Sequence, residues 1–233
     1  MSVDLRLRKH DYFKSLYSLV GYPSAIEVSS IVEEYLQGLS IVTRGFYDPQ
    51  GITHGWTVYS SQAYSKLFTS IHTRASIEGV STEKRLSLEC IVQAIHCIRV
   101  IGEVHGLSDG KITLFLNSKG IMRLLLGIRY HNVSCAIADN CDLLAELKYQ
   151  LTCLDKVATI KFSYCDLEAK TGDAIPRQYI SDLGADFNPH RVALSFPLLE
   201  LQYINPPHNA VQLFYNGQPF LTKVKSTLRQ DMY

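Results

Sequence analysis

Apolar residues change their spacing from two to about 3.6 partway along this chain, which limits the folds it can adopt. The segments LSIVTRGF, HGWTVYSS and FTSIHTRASIEG are rich in β-branched or alternating apolar residues. They predict three consecutive strands that pair antiparallel. The segment STEKRLSLECIVQAIHCIRVIGEVHG then carries Leu88, Ile91, Ile95 and Ile98 on one face and predicts a long helix.

Strand and helix signals alternate over the following residues. A strand is predicted at 112–116, after the turn-forming pair Asp109-Gly110, and a short helix is predicted to begin at Ser118. The segment ADNCDLLAELKYQLTCLDK predicts an amphipathic helix, VATIKFSYC a fifth strand, and DAIPRQYISDLGADF a last helix with Pro176 in its first position. This order indicates an α/β fold: a mixed five-stranded sheet, with three antiparallel strands and then parallel strands, and helices on both faces.

Signals at the two ends of the chain set the predicted domain organisation. Residues 1–37 are predicted to form an N-terminal helical arm closed by Gly38, and residues 38–187 carry the sheet. Residues 188–233 are predicted to form a C-terminal extension, with a β-hairpin at Asn216-Gly217 and a short closing helix.

The composition fits a globular domain and argues against a secreted disulfide-bonded protein and against a membrane protein. Of 233 residues, 46% are apolar and 19% are charged, which suffices for a large core. A net charge of +1 argues against attraction of nucleic acid by the whole molecule, although a local basic patch is compatible with it. Six scattered cysteines without a C-x-x-C pair, and a charged N-terminus, indicate an intracellular protein, cytoplasmic or nuclear. No apolar run approaches the roughly 20 residues that span a bilayer, so no membrane partner is expected.

Over residues 38–187, the order of strands and helices and several short sequence motifs resemble those of the ribonuclease H-like domain of retroelement polyproteins of the reverse transcriptase type. In TRGFYDPQGITHGW, Gly45 matches the family glycine of the first strand, and Gly55-Trp56 match the start of the second. Arg44 then stands in the place of the first family aspartate. Glu89, in LSLECIVQAI, matches the acid of the first helix.

The other two family acid positions follow the fourth strand and lie on the last helix. In LFLNSKGIMRLL the matching residue is Asn117, an amide in place of an acid. In QYISDLGA it is Asp182, with Gln178 in the place of a family asparagine. Tyr164 lies near the position where some members carry a histidine.

The resemblance implies a chemistry that this chain carries incompletely. The family holds two Mg²⁺ ions with four carboxylates, and here Glu89 and Asp182 are the retained acids. The Arg44 guanidinium cannot ligate a metal, and it is instead a candidate ion-pair partner of Glu89 or Asp182. Compensation by a nearby acid (Asp48, Asp166 or Asp186) is disfavoured. No cofactor is therefore expected, and Mg²⁺ is expected only if the nuclease alternative holds. Zinc is not expected, because the histidines lack ligand spacing.

The sequence leaves three functions open. The leading interpretation is a catalytically impaired ribonuclease H-like domain from a retroelement polyprotein, retained as a nucleic-acid-binding or scaffold module. The first alternative is an active Mg²⁺-dependent endonuclease that cleaves RNA in RNA–DNA hybrids, and the second is a protein-interaction module. Expected partners are RNA–DNA hybrid or another nucleic acid, and other segments of a polyprotein. Two small basic clusters are candidate nucleic-acid contacts: Arg6, Arg8, Lys9, Lys223, Lys225 and Arg229.

Overall fold

A computed structural model describes residues 23–48, 51–68, 71–74, 82–130 and 140–185, with the short segments 214–215 and 218–219. The helices are α1 (Ala25–Glu34), α2 (Glu83–Val104), α3 (Lys119–Tyr130), α4 (Cys141–Leu154) and α5 (Ala174–Ala185). The strands are β1 (Leu39–Asp48), β2 (Gly51–Ser60), β3 (Ile71–Arg74), β4 (Gly110–Leu116), β5 (Ala158–Tyr164), β6 (Phe214–Tyr215) and β7 (Gln218–Pro219). Within these segments no helix is both long and apolar enough to cross a bilayer.

The main sheet has five strands in the order β3-β2-β1-β4-β5. β2 pairs antiparallel with both β1 and β3, while β1, β4 and β5 are parallel. Each parallel strand is reached through one or more helices, as parallel connections require. The predicted order and the predicted mixed sheet are confirmed, and the fold is ribonuclease H-like.

Alternating residues of β1 place helices on both faces of this sheet. Leu39 and Ile41 point into a core formed with α1, α2, α3 and α4. Val42 points to the opposite face, where it packs in a smaller core with Ile180 and Leu183 of α5. A side-chain period of two in a strand separates these two cores, so both sides of the sheet are covered.

Several element boundaries differ from the predictions, among them the end of β1 and the start of α5. The segment predicted for β1 ends at Phe46, just past Gly45, but the strand continues to Asp48 and pairs with β2 up to Asp48 and Gly51. Glycine weakens a strand without removing its hydrogen bonds, so it does not end the ladder here. α5 begins at Ala174, so Pro176 is its third residue and not its first. The first-turn N–H groups of a helix have no intrahelical acceptor, and a proline there costs no hydrogen bond.

α1 packs against the sheet domain. Ser24 and Glu27 form a capping box at its start, in which each side chain accepts a hydrogen bond from the other's backbone N–H. Val28 and Ile31 are buried in the larger core. The predicted boundary at residue 37 remains a prediction, but residues 25–34 share their core with the sheet.

The predictions for the chain ends fall mostly outside the described residues. This applies to the part of the predicted helical arm before residue 23 and to the predicted closing helix after residue 222. β6 and β7 pair antiparallel, in agreement with a hairpin at 216–217, although those two residues are not described.

Candidate functional site

The carboxyl ends of three parallel strands meet at one edge of the sheet. Val42 of β1 is in register with Phe115 of β4, and Leu116 is in register with Tyr164, the last residue of β5. Arg44 and Asn117 each lie two residues beyond the Val42–Phe115 pair. Arg44 and Asn117 therefore lie at the same end of the sheet. Ligands of open α/β sheets commonly bind at such an edge.

Arg44 connects this edge to α5. Its Nη1 donates a hydrogen bond to the backbone carbonyl of Ile180 at 3.2 Å. Ile180 lies two residues before Asp182, so Arg44 and Asp182 belong to neighbouring parts of the structure. Burial lowers the pKa of the half-buried Arg44 guanidinium, while the Glu83 carboxylate opposes that change. Since a guanidinium does not lose its proton in proteins, the side chain remains a cation.

A close backbone approach explains the glycine beside Arg44. A Cβ atom on Gly45 would lie 2.7 Å from the backbone nitrogen of Ser87 and 2.8 Å from its Oγ. Glycine therefore lets the second turn of α2 lie directly on β1. The Cys90 thiol donates to the carbonyl of Gly55 at 2.8 Å, and Gly55 pairs with Arg44 across β1 and β2. These contacts fix α2 over the strand end.

Glu89 lies on the side of α2 that faces α4, where Arg85 forms an ion pair with it. It is 1% exposed, and its Oε1 lies 3.4 Å from Nε of Arg85, one helical turn earlier. The Arg85 guanidinium also makes two hydrogen bonds to Asp142 of α4, at 3.1 and 2.7 Å. Burial alone would raise the pKa of Asp142, but its bonds to Arg85 lower it overall. The pairing of Arg44 with Glu89 or Asp182 stays a prediction, and the ion pair described here joins Glu89 to Arg85.

Asp182 lies on α5, on the other face of the sheet from Glu89. Its Oδ1 accepts a hydrogen bond from Nε2 of Gln178 at 2.6 Å, across one turn of the helix. Glu89 and Asp182, the two acids that the resemblance matches to family positions, are thus each bound by a neighbour on their own helix.

A cavity of about 880 Å³ lies at the sheet edge. The residues of its wall that can bind a ligand through charge, hydrogen bonds or stacking are Glu83, Lys84, Asn117, Lys119, Arg123 and Tyr164. Of the four family positions, Asn117 lines this cavity, while Arg44, Glu89 and Asp182 are not among the described residues that line it. The four side chains therefore do not all meet in this cavity.

The basic residues of the cavity lie near the N-termini of two helices, α2 and α3. Thr82 caps α2 by accepting a hydrogen bond from the N–H of Arg85, which places Lys84 in the first turn. Ser118 accepts a hydrogen bond from the N–H of Ile121 at the start of α3. Lys119 and Arg123 are one turn apart on α3, and their side chains are exposed. The cavity wall thus carries three basic side chains against the one carboxylate of Glu83.

The residues at this edge do not fit two Mg²⁺ ions. Magnesium requires several hard oxygen ligands in near-octahedral geometry. Here the strand ends contribute the Arg44 guanidinium and the neutral Asn117 amide, and the Glu89 carboxylate is engaged by Arg85. Within the described part of the chain, no three His, Cys, Asp or Glu side chains are grouped closely enough to hold a metal ion.

Several residues of the cavity were missed by the sequence analysis. Glu83 and Ser87 line it from α2, and Lys119 and Arg123 line it from α3. Both pairs have a spacing of four residues, which would have indicated one helical face at the start of each predicted helix. Asp186 and the side chain of Asp48 fall outside the described residues. So do the basic clusters that were predicted to contact nucleic acid: Arg6, Arg8, Lys9, Lys223, Lys225 and Arg229.

Comparison with known proteins gives matches to solved structures alone. No family model matches the sequence, and no curated protein matches it. LC11-RNase H1, solved with an RNA/DNA hybrid, is 15% identical, with 55% of this chain and 85% of that chain covered and a TM-score of 0.41. RNase H1 from the archaeon Halobacterium salinarum is 13% identical over 55% of this chain and 86% of that chain, with a TM-score of 0.39. The foamy viral protease-reverse transcriptase, solved with dsDNA, is 11% identical over 64% and 92%, with a TM-score of 0.41. The fold assignment rests on the strand order and directions given above.

Proposed function

We propose that this chain is a ribonuclease H-like module of retroelement origin that binds the sugar–phosphate backbone of nucleic acid and does not hydrolyse it. The observation that carries the proposal is the excess of basic side chains in the cavity at the carboxyl edge of the sheet. Lys84, Lys119 and Arg123 are exposed there, opposed by Glu83 alone among the charged residues of the wall.

The three cations are available to an anionic ligand. Within the described residues, neither Lys84 nor Arg123 forms an ion pair, and Lys119 lies over an aromatic ring. A phosphate that enters the cavity would therefore not have to displace a carboxylate from Lys84 or Arg123. Phosphate contacts of this kind supply affinity and orientation without reading the base sequence.

The proposal that the chain does not hydrolyse nucleic acid rests on the residues that occupy the positions matched to the family acids. Two of them are occupied by Arg44 and Asn117, and the Glu89 carboxylate is committed to the contact between α2 and α4 through Arg85. A guanidinium at the first position repels the divalent ions that the reaction needs. The retroelement origin is supported by the resemblance of the short motifs around Gly45, Gly55 and Trp56 to those of the retroelement domain.

Binding measured without divalent metal tests the proposal. Fluorescence anisotropy with labelled RNA in EDTA is expected to give saturable binding that weakens with salt. Lys119→Gln with Arg123→Gln should lower affinity about tenfold or more, since hydrogen bonds to charged groups are worth roughly 1.5–3 kcal/mol each. The slope of log affinity against log salt should also become shallower, by about 0.7 for each phosphate of a single strand that the variant no longer neutralises.

A matched double variant distinguishes the cavity from general surface charge. Lys111 and Lys156 are exposed and lie at the start of β4 and just before β5, at the opposite edge of the sheet. Lys111→Gln with Lys156→Gln makes the same charge change and should leave affinity and salt slope unchanged. Equal losses in both double variants would contradict a site in the cavity, and a wild-type protein that binds no nucleic acid would refute the function.

A further inference from the structure

The aromatic ring of Tyr164 forms one side of the basic cavity. Tyr164 ends β5, which is an edge strand of the sheet. Its backbone is held by the neighbouring strand β4, because Tyr164 is in register with Leu116 and the next N–H, that of Cys165, donates to the carbonyl of Leu116 at 2.8 Å. Tyr164 is half-buried, so part of the residue is packed against the protein and the rest is open to solvent.

A cation lies over one face of this ring, and as the end of an exposed, flexible lysine it can turn from the ring to a phosphate when a base takes its place. Nζ of Lys119 is 4.9 Å from the centroid of the Tyr164 ring, and Arg123 follows one turn later on α3. An aromatic surface with adjacent basic side chains is the combination that binds unpaired nucleotides, because the ring stacks on a base while the cations contact the neighbouring phosphates. Every base has such a face, so this mode of binding tolerates different sequences.

We infer that the cavity binds an unpaired nucleotide of a single strand, with the base on Tyr164 and the flanking phosphate on Lys119 and Arg123. The inference rests on the proposed function and specifies its substrate. A cavity of about 880 Å³ lies within the range of sites for small ligands, roughly 300–1,000 Å³. It accommodates a nucleotide, whereas a double helix keeps its base faces stacked on one another and cannot offer one to the ring.

The test compares single-stranded RNA with an RNA–DNA hybrid of the same sequence by anisotropy in EDTA. Tyr164→Leu removes the aromatic face and should weaken single-strand binding by roughly 5- to 100-fold, the range found for one stacked base. Affinity for the hybrid should change by less than about twofold. Tyr164→Phe keeps the face and should bind the single strand like the wild type.

Tyr130→Leu is the matched control. Tyr130 is a tyrosine at the other end of α3, 65% exposed and also with an arginine, Arg129, over its ring. This variant should bind both ligands like the wild type. Thermal unfolding of all three variants verifies that each is folded.

Three results would overturn the inference. The first is that Tyr164→Leu lowers the affinities for single strand and hybrid equally, or lowers neither. The second is that Tyr164→Phe binds the single strand as weakly as Tyr164→Leu does. The third is that a free mononucleotide competes for the site as well as the oligonucleotide does. If the Lys119→Gln and Arg123→Gln double variant still loses binding in these cases, the proposed function stands and the inference alone fails. If the wild-type protein binds neither ligand, the proposed function fails.

Discussion

Arg85 lies one helical turn before Glu89, and its Nε is 3.4 Å from Glu89 Oε1. The same guanidinium binds Asp142 through two hydrogen bonds, so it links two carboxylates on two helices. Glu89 thereby acquires a structural role in the contact between α2 and α4. A carboxylate so placed differs from one that is open to a metal ion, which is the role that the resemblance would give Glu89.

We predict that Arg85→Met destabilises the protein by about 3 kcal/mol, because it leaves the buried Glu89 carboxylate without its guanidinium. The measurement is urea unfolding followed by circular dichroism. Arg123→Met removes an exposed arginine and should change the free energy of unfolding by less than about 0.5 kcal/mol. The double variant Arg85→Met with Glu89→Met should be destabilised less than the sum of the two single variants. Strict additivity would contradict the ion pair.

The low pKa of Asp142 predicts how stability depends on pH. The folded state holds this pKa below its ordinary value, because the opposing effect of burial is outweighed by the hydrogen bonds from Arg85. Asp142 therefore contributes stability above its unfolded pKa of about 3.9, and this contribution is lost as the pH falls through the lower folded pKa. Asp142→Asn should flatten the loss of stability below about pH 4. Parallel acid-unfolding curves for the two proteins would exclude this linkage.

Gly45 is predicted to be required for the contact between β1 and α2. Gly45→Ala should cost about 2 kcal/mol, because the new methyl group meets the backbone of Leu86 and Ser87, which cannot move aside as a side chain can. Gly120→Ala is the matched change: its Cβ would meet only Ser118 Oγ, at 3.7 Å, and alanine favours the helix. It should be neutral or stabilising in thermal unfolding. A Gly45→Ala protein as stable as the wild type would show that α2 is placed differently.

Restoring the family acids should create affinity for divalent ions. Arg44→Asp with Asn117→Asp removes one cation and adds two carboxylates at the sheet edge, so titration calorimetry with Mn²⁺ or Mg²⁺ should show stronger binding than for the wild type. Lys111→Asp with Gln37→Glu makes the same charge change at the opposite edge of the sheet and controls for nonspecific attraction. If the two double variants bind the ions equally, the matching of Arg44 and Asn117 to family acids is wrong.

The fold was more predictable from the sequence than the site. Periodicity and turn signals predicted every strand of the main sheet, because apolar spacing reports directly on burial. Arg85 was missed although it lies four residues before Glu89, since its role depends on Asp142 from a helix that packs alongside. Lys119 and Arg123 were missed for a similar reason: two exposed basic residues become a site only where a strand end and a second helix enclose them.

Incubation of a labelled RNA strand, free and annealed to DNA, tests the central claim most directly. At a protein concentration that saturates binding in EDTA, addition of Mg²⁺ or Mn²⁺ should leave the RNA intact and its affinity nearly unchanged. Metal-dependent cleavage by the wild-type protein that disappears in Glu89→Gln would contradict the account, and would identify the chain as an active nuclease.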